Sequence, residues 1–555
     1  MVCGSVEDKE ITQSIEVAYP TPYSNVDPLT VDPNRGGVMR LANRGDPPAS
    51  FDTLRTSSIA LHHVGGGLFG SGNLVTRCRE NMYLVCPYLA RAWTTNNDFT
   101  EWIFTIRDDI QWHDGRALVA EDVKFWLTLA KFGFTTENKS RAPAYFRADL
   151  GNIESIETIE GNRLKILLKE RFPHYLDSLM NPRFKIAHPK HLMKERMEAG
   201  EVSLAPLEVG LIGSGPFALG KYNKGGTISI RKFDNYWERD GKANSLPYLD
   251  GIDFITVPDP SAMDAALRTG RIDGGARGEG HYLSLERKQG YDVDLKGNVF
   301  YAEMQGGLFR MAFNMLKPGP WQDVRIRRAI SLYIDREAAI PSALGGFGYI
   351  SPTFGPSNPF TSSNFATWSK FNPAKLQDNR AEASNLMKQA GYENGFSMGY
   401  LCRSRVVPRC EFLHSQLAGL NIDLNLQIVD EGEWNRGRVS LDYDSQPGAH
   451  FTPPLPEATE SVFGVYSDNP DAYSKHEDKN ITKLYNSLKS ASTQAQRVSI
   501  WKQIEAYIVD EQAYVVPIAG TIQVVPYLGH VKGLVVPPED GHTHTDFATV
   551  WLNHP

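Results

Sequence analysis

The sequence predicts a soluble, multidomain α/β protein, and three observations predict it. A chain of 555 residues is too long for one hydrophobic core and points to roughly two to four domains. Its composition, 41% hydrophobic and 22% charged, is that of a globular protein. Segments with strand periodicity and segments with helix periodicity interleave along the chain, with no internal repeat and no low-complexity block.

The elements follow in order. Residues 5–36 have little apolar periodicity and contain Pro20, Pro22, Pro28 and Pro33, which predicts a flexible tether. The body opens at "GGVMRLANRGDPPASFDT", a short strand running into a proline-rich turn. From Phe99 to Ile106 the alternation predicts a strand with Trp102, Phe104 and Ile106 on one face and Thr105 and Arg107 on the other. Asp114-Gly115 marks a turn, and "AEDVKFWLTLAKF" has helical spacing at Val123, Trp126, Leu127 and Ala130. "RLKILLKE" alternates as a strand, and "GSGPFALGKYNKGGTISIRKF" predicts two strands around a Gly-Gly turn. "DVRIRRAISLYIDREAAIPSAL" carries a helical stripe at Ile326, Ala329, Ile330 and Tyr333. Two late helices place Ile481, Leu484, Tyr485 and Leu488 on one face, then Val498, Trp501, Ile504 and Ile508.

The bulk properties exclude some functions. A net charge of -7 gives no basic field for nucleic acid or an anionic membrane surface. No apolar run approaches the roughly 18 to 20 residues of a membrane helix, and the start "MVCGSVEDKE" is not a signal segment. Cys3, followed by Gly4, Ser5 and a polar stretch, does match a bacterial lipoprotein after cleavage of its leader, although the residues that would precede the cysteine are missing. The competing reading is an incidental thiol. Of the five cysteines, Cys78 lies near Cys86 and Cys402 near Cys410, so two local disulfides in an oxidising compartment are expected. Two pairs of buried free thiols would leave the same count, with Cys3 the odd one in either case.

Catalytic motifs were sought in three places. "IRDDIQWHDGRALVAEDV" sets Asp108, Asp109, Asp114, Glu121 and Asp122 beside His113, a set that could ligate metal or act as acid and base. Strand geometry sends Asp108 and Asp109 to opposite sides, and Glu121 and Asp122 suit the first turn of a helix, where acids meet the positive end of the dipole. A scaffold role therefore explains every acid. "GPFALGK" is a near miss for a phosphate-binding loop, because Tyr222 stands where Ser or Thr is needed and Pro216 lacks the N-H such a loop aims at phosphate. The C-terminal "DGHTHTD" is the best metal candidate, with His542 and His544 on one strand face and Asp540 and Asp546 nearby. Surface histidines in a terminal strand are the more ordinary reading. His62 and His63 precede "VGGGLFGSG", where backbone could approach a ligand closely.

Five longer segments carry more information: "LARAWTTNNDFTEWIFTIRDDIQWHDGRALVAEDVKF", "GSGPFALGKY", "NYWERDGKANSLPYLDGIDFITVPDPSAMDAALRTGRID", "FNMLKPGPWQDVRIRRAISLYIDRE" and "NPAKLQDNRAEASNLMKQAGYENGF". Taken in order, they resemble the family 5 extracellular solute-binding proteins of bacterial ABC importers, the group that includes oligopeptide, dipeptide and nickel binders. The resemblance runs from Gly37 to Leu552. It departs at Val119, where relatives often carry Ser or Thr as the helix cap.

This resemblance implies an α/β, two-lobed periplasmic-binding-protein fold of type II, cluster C-like, with a hinge of crossing strands and an extra subdomain in lobe I. The implied segments are a tether at 1-36, lobe I at 37-75, 189-303 and 513-555, the extra subdomain at 76-188, and lobe II at 304-512. The solute would lie between the lobes, and hinge closure would create the surface an importer recognises. The resemblance places Ser57, Ser58 and His62 at the cleft, with Tyr145 and Arg183 approaching from the subdomain. Arg183 would pair with a carboxylate or phosphate; a surface arginine is the alternative. Peptide-binding relatives carry Gly-Trp-x-x-Asp in lobe II, whose acid holds the peptide ammonium, whereas here Gly448, Ala449, His450, Phe451 and Thr452 stand there. Glu457 lies close enough to be a substitute.

The expected function is therefore the non-enzymatic substrate-binding component of an ABC importer, taking a small polar organic solute and needing no cofactor or metal. Its partners would be the permease subunits with their ATPases, and no nucleic acid. It would act as a monomer at the periplasmic or extracellular face, anchored through a lipid on Cys3. A peptide receptor of the same family is the alternative. A metal-dependent hydrolase built on the C-terminal His/Asp cluster is the alternative from another class, and a sensory or chaperone-like use of the cleft is a third.

Overall fold

The computed structural model describes residues 23–24, 32–43, 53–54, 59–79, 84–135, 140–141, 144, 147, 150–180, 185–186, 189–199, 212–275, 283–356, 358, 360–361, 365–447, 474, 476–536 and 546–553. Strand β1, Val38–Asn43, joins a four-stranded sheet in the order β6-β7-β8-β1, where β6 is Phe217–Tyr222, β7 Thr227–Lys232 and β8 Gly251–Thr256. The first three strands are antiparallel and β8 runs parallel to β1. Helix α1, Ile59–Phe69, packs on this sheet. Its three central glycines, each costly inside a helix, are explained by close approach: a Cβ on Gly67 would overlap the Ile230 side chain. The glycine-rich stretch, whose backbone the sequence leaves open to close approach, is thus as far as Phe69 a helix packed on a sheet. The glycines of "GSGPF" serve the same contact, since a Cβ on Gly215 would fall 2.6 Å from Gly70 N and 2.7 Å from Gly67 O.

A second, antiparallel sheet has the order β2-β3-β5-β4: Ala90–Thr95, Glu101–Ile106, Arg163–Leu168 and Ile153–Ile159. Trp102, Phe104 and Ile106 are fully buried on one face, as their alternation predicts. The strand starts two residues later than expected, because Phe99 takes a positive φ of 54° in the turn that closes β2 on β3. Helix α2, Ala120–Phe132, buries Val123, Trp126, Leu127 and Ala130 against this sheet. At its start Val119 has extended backbone and no side-chain acceptor, so the Asp122 carboxylate reaches back to Val119 N at 3.1 Å. Val119→Thr is expected to supply the missing cap and raise stability by about 0.5–1 kcal/mol, read as a higher urea midpoint; an unchanged midpoint would show that Asp122 already satisfies the helix end.

The third sheet has six strands in the order β10-β14-β9-β13-β11-β12. These are Gly348–Tyr349, Val515–Leu528, Val299–Phe313, Ser445–Gln446, Phe396–Arg403 and Ile422–Val429. Helices Val324–Tyr333 (α4), Arg336–Ala343 (α5), Leu376–Gln389 (α6) and Val407–Ala418 (α7) supply its covering core. The single stripe expected from Asp323 onward is two helices, because Asp335 leaves helical geometry and caps α5 by accepting from Ala338 N. Helices α8, Lys479–Ser490, and α9, Gln494–Glu505, bury the expected Ile481, Tyr485, Leu488, Trp501 and Ile504 in the core that also holds Trp102 and Trp126. Ile508 is buried in the π-helical stretch Ala506–Glu511 beyond it.

Both expected disulfides are formed. Cys78–Cys86 has a Cα separation of 5.1 Å, and Cys402–Cys410, which staples β11 to α7, one of 6.3 Å. Within the stretch expected to be a tether, the described residues are docked: Tyr23–Ser24 pairs with Val535–Val536, and Arg35 Nη1 donates to Ser245 O at 2.9 Å. Backbone pairing at a sheet edge holds what composition alone reads as loose. Among the described residues no helix is long and apolar enough to cross a membrane.

Candidate functional site

Strands β9 and β14 form one antiparallel ribbon, from Val299 opposite Leu528 to Ala312 opposite Val515. Its two halves belong to different cores. Ala302, Met304, Val525 and Tyr527 pack with the α1 sheet, whereas Phe309, Met311, Val516 and Ile518 pack with α4 and α7. The register slips between Gln305 and Leu308, where the ribbon passes from one core to the other. There Thr521 Oγ1 donates to Gly307 O at 2.9 Å and Tyr349 OH to Gly306 O at 3.1 Å. A Cβ on Gly306 would overlap Thr521, and one on Gly520 would overlap the Tyr349 ring. Two bodies joined by a two-stranded ribbon, with a slip at the crossing, form a hinge.

On β9, Phe309, Met311 and Phe313 face the helices, so alternation sends Arg310 and Ala312 to the other side. On that side Gln446 of β13 is paired with Ala312, near Leu401, Trp434 and Tyr443. The Arg403 guanidinium lies 3.4 Å from the centre of the Trp434 ring, a cation–π stack. Gln446 is fully buried, and among the described residues neither its amide nitrogen nor its oxygen has a hydrogen-bond partner. Buried amides are normally paired, so one without a partner requires explanation. The chain leaves Gln446 directly for residues 448–452, the segment the sequence assigns to solute contact.

On the opposite body one predicted position falls in a described element. Position 62 lies in α1, whereas Ser57, Ser58, Tyr145, Arg183, His450, Phe451, Thr452 and Glu457 lie outside the described residues, as does Cys3. Beside α1 the structure adds a residue the sequence did not mark. Lys185 is 2% exposed. Its Nζ has no hydrogen-bond partner among the described residues, and burial alone pulls the amine down to about 7. Its Cβ lies against Gly72, and a Cβ built on Gly65 of α1 would stand 3.7 Å from its Nζ.

The acid-rich stretch is scaffold. Asp109 is held below the usual carboxylate range chiefly by its hydrogen bond from Arg107, at 2.9 Å. Asp108 accepts from Asn162 Nδ2 at 3.2 Å, and Asp114 meets His191 Nε2 at 2.6 Å. Glu121 accepts from Lys190 Nζ at 2.7 Å and Thr158 Oγ1 at 3.0 Å; burial opposes its ionisation, and these hydrogen bonds outweigh it to lower its pKa. Asp122 caps α2 and also takes Lys190 N at 3.1 Å. His113 bridges Gly213 N and Gly215 O through its two ring nitrogens. Apart from Glu121 and Asp122, which both meet Lys190, the groups are turned to different partners. Of the C-terminal cluster, Asp540, His542 and His544 lie outside the described residues; Asp546 is bound by Arg79, which also grips Glu238.

Comparison with known proteins adds the family. The family described as bacterial extracellular solute-binding proteins, family 5 Middle, matches residues 85–471. The glutathione-binding protein GsiB of Escherichia coli is 25% identical over 393 residues, which are 70% of this chain and 68% of that protein. GsiB of Salmonella typhi is 24% identical over the same length and shares. Among solved structures, the A. tumefaciens binding protein AgaA in complex with agropinic acid superposes with a TM-score of 0.75 at 21% identity, covering 94% of this chain and 99% of that one. The Helicobacter pylori protein DppA in complex with the peptide STSA gives 0.76 at 21%, with the same coverage. The A. tumefaciens protein MoaA in complex with mannopinic acid gives 0.72 at 18%, covering 94% and 100%.

Proposed function

We infer the function from a premise: this chain belongs to the bacterial extracellular solute-binding proteins of family 5, the binding components of ABC importers. The fold is accordingly the two-lobed α/β fold of these proteins. From that starting point we propose that the chain captures a small polar organic solute other than a linear peptide between the two bodies joined by the β9–β14 ribbon, and presents it to a membrane permease. Its relatives are named for glutathione, peptides, agropinic acid and mannopinic acid, so the family scaffold admits both kinds of ligand. The proposed lobes are those bounded above, and Cys3 is the proposed lipid attachment point, because the other four cysteines are used in disulfides.

One observation carries the non-peptide reading. Where peptide-binding relatives carry Gly-Trp-x-x-Asp, this chain reads Gly448-Ala449-His450-Phe451-Thr452. A peptide ammonium enclosed in a closed cleft needs a paired carboxylate, and without one it bears the desolvation cost uncompensated. Thr452 cannot neutralise it. The proposed contacts are therefore Ser57, Ser58, His62, Tyr145, Arg183, His450 and Phe451, with the buried Gln446 amide beside them.

Thr452→Asp tests this reading. The unaltered protein is expected to show no micromolar affinity for tri- and tetrapeptides by calorimetry, and the variant to gain it. Micromolar peptide binding by the unaltered chain would mean that Glu457 anchors the ammonium, and would restore the peptide receptor.

A further inference from the structure

We propose that Lys185 is the anion anchor of the solute site, so that the solute carries a carboxylate or a comparable acid group held against the glycine face of α1. The proposal rests on the solute-receptor reading above and narrows it to acidic solutes.

Three observations converge on Lys185. The side chain is sealed from water, at 2% exposed, and its Nζ has no partner among the described residues. Its position is the second. It follows Arg183 by two residues in sequence and lies beside Gly65 of α1, which follows position 62, assigned to the cleft by resemblance, by nearly one helical turn. The third is the approach itself. Gly65 and Gly72, neither carrying a side chain, are what let the lysine lie so close to α1 and the turn after it.

A structural role explains none of this. A sealed ammonium without an acceptor is costly, and an apolar side chain of similar length would fill the same space without that cost. An acid group on the solute supplies the missing acceptor. It also supplies a charge: Gly65 and Gly72, which lie against the lysine, are uncharged, and burial is the cause of the depressed amine. With the free amine near 7, an arriving anion raises its affinity for a proton, so binding above neutral pH takes up a proton at this nitrogen. Gln446, on the other body, offers an amide donor and acceptor to the polar remainder of the solute.

The test is calorimetry on the full chain and on Lys185→Met and Lys185→Arg, with gluconate, glucuronate and mannopinic acid, each matched with its neutral lactone, amide or parent sugar. At least one acid is expected to bind, at least tenfold tighter than its neutral counterpart and more tightly at pH 6.5 than at pH 8.5. Titration at pH 8 in buffers of different ionisation enthalpy is expected to show proton uptake. Lys185→Met should lose at least tenfold in affinity and the proton uptake, while its thermal midpoint without solute stays equal or rises; Lys185→Arg should keep the acid preference and lose the pH dependence. Equal binding of the acid by the unaltered protein and Lys185→Met, or binding of neutral partners alone, overturns the anchor and leaves the receptor reading standing. Binding of no probe, acid or neutral, counts against both.

Discussion

Arg497→Met is expected to lower stability by about 3–5 kcal/mol, the largest effect of any single substitution considered for this chain. Arg497 of α9 is fully buried and its Nη2 lies 3.2 Å from Asp177 Oδ2 in the short helix α3, Tyr175–Leu179. Its Nη1 donates to Gln494 Oε1 at 2.9 Å, and the guanidinium lies 5.2 Å from the centre of the Phe360 ring. Removing the cation takes from the buried Asp177 carboxylate its Arg497 ion pair. The nearest replacement is His174, whose Nδ1 is 3.8 Å from the same oxygen. Burial first, and then Arg497, depress this imidazole to about 3. It is therefore neutral at pH 7 while Arg497 is present.

The comparison variant is the double substitution Arg497→Met, Asp177→Leu, which removes both charges. It should recover most of the loss, since the cost lies in the buried ion left without Arg497 more than in the missing attraction. Urea unfolding of the single and double variants measures both. A single-variant loss below about 1 kcal/mol would place the pair in the range of exposed salt bridges and refute its burial. His174 gives the acid limb a sign. Its folded value lies below its unfolded one, so its contribution is intact above about 6.5 and is lost progressively as pH falls towards about 3.

Local pattern was readable where one face of an element is buried and the other is wet. Trp102, Phe104 and Ile106 announced β3, and Val123, Trp126, Leu127 and Ala130 announced α2, because each period matches the geometry that buries it. The α4–α5 break was missed because the apolar stripe continues past Asp335 while the backbone stops for its cap. The β9–β14 ribbon was not readable from periodicity; only the resemblance implied crossing strands near residues 303 and 513. It pairs residues about two hundred positions apart, and nearly every residue in both strands is apolar or buried, which leaves no alternation to follow.

The site divides in the same way. Ser57, Ser58, Tyr145, Arg183, His450 and Thr452 come from resemblance to family motifs, since nothing in their spacing singles them out. Lys185 and Gln446 escaped because a lysine in "RFKIAH" and a glutamine in "YDSQPG" read as ordinary surface residues. Their burial is a tertiary property, set by the glycines of α1 in one case and by pairing with Ala312 in the other. Glycine signals in "VGGGLFGSG" were visible, but they marked helix packing and the lysine's approach where direct ligand contact was expected.

The most direct measurement of solute capture is a thermal-shift screen of the unaltered chain against peptides, sugars, opines, amino-acid derivatives and metal chelates. A solute at about 100 times its dissociation constant adds about 2.7 kcal/mol of stability, a shift well above the noise of such a screen. The account predicts a clear shift from at least one non-peptide polar solute, largest among the acids, and little from tri- and tetrapeptides. A shift confined to peptides, or to a metal ion without any organic solute, would contradict it.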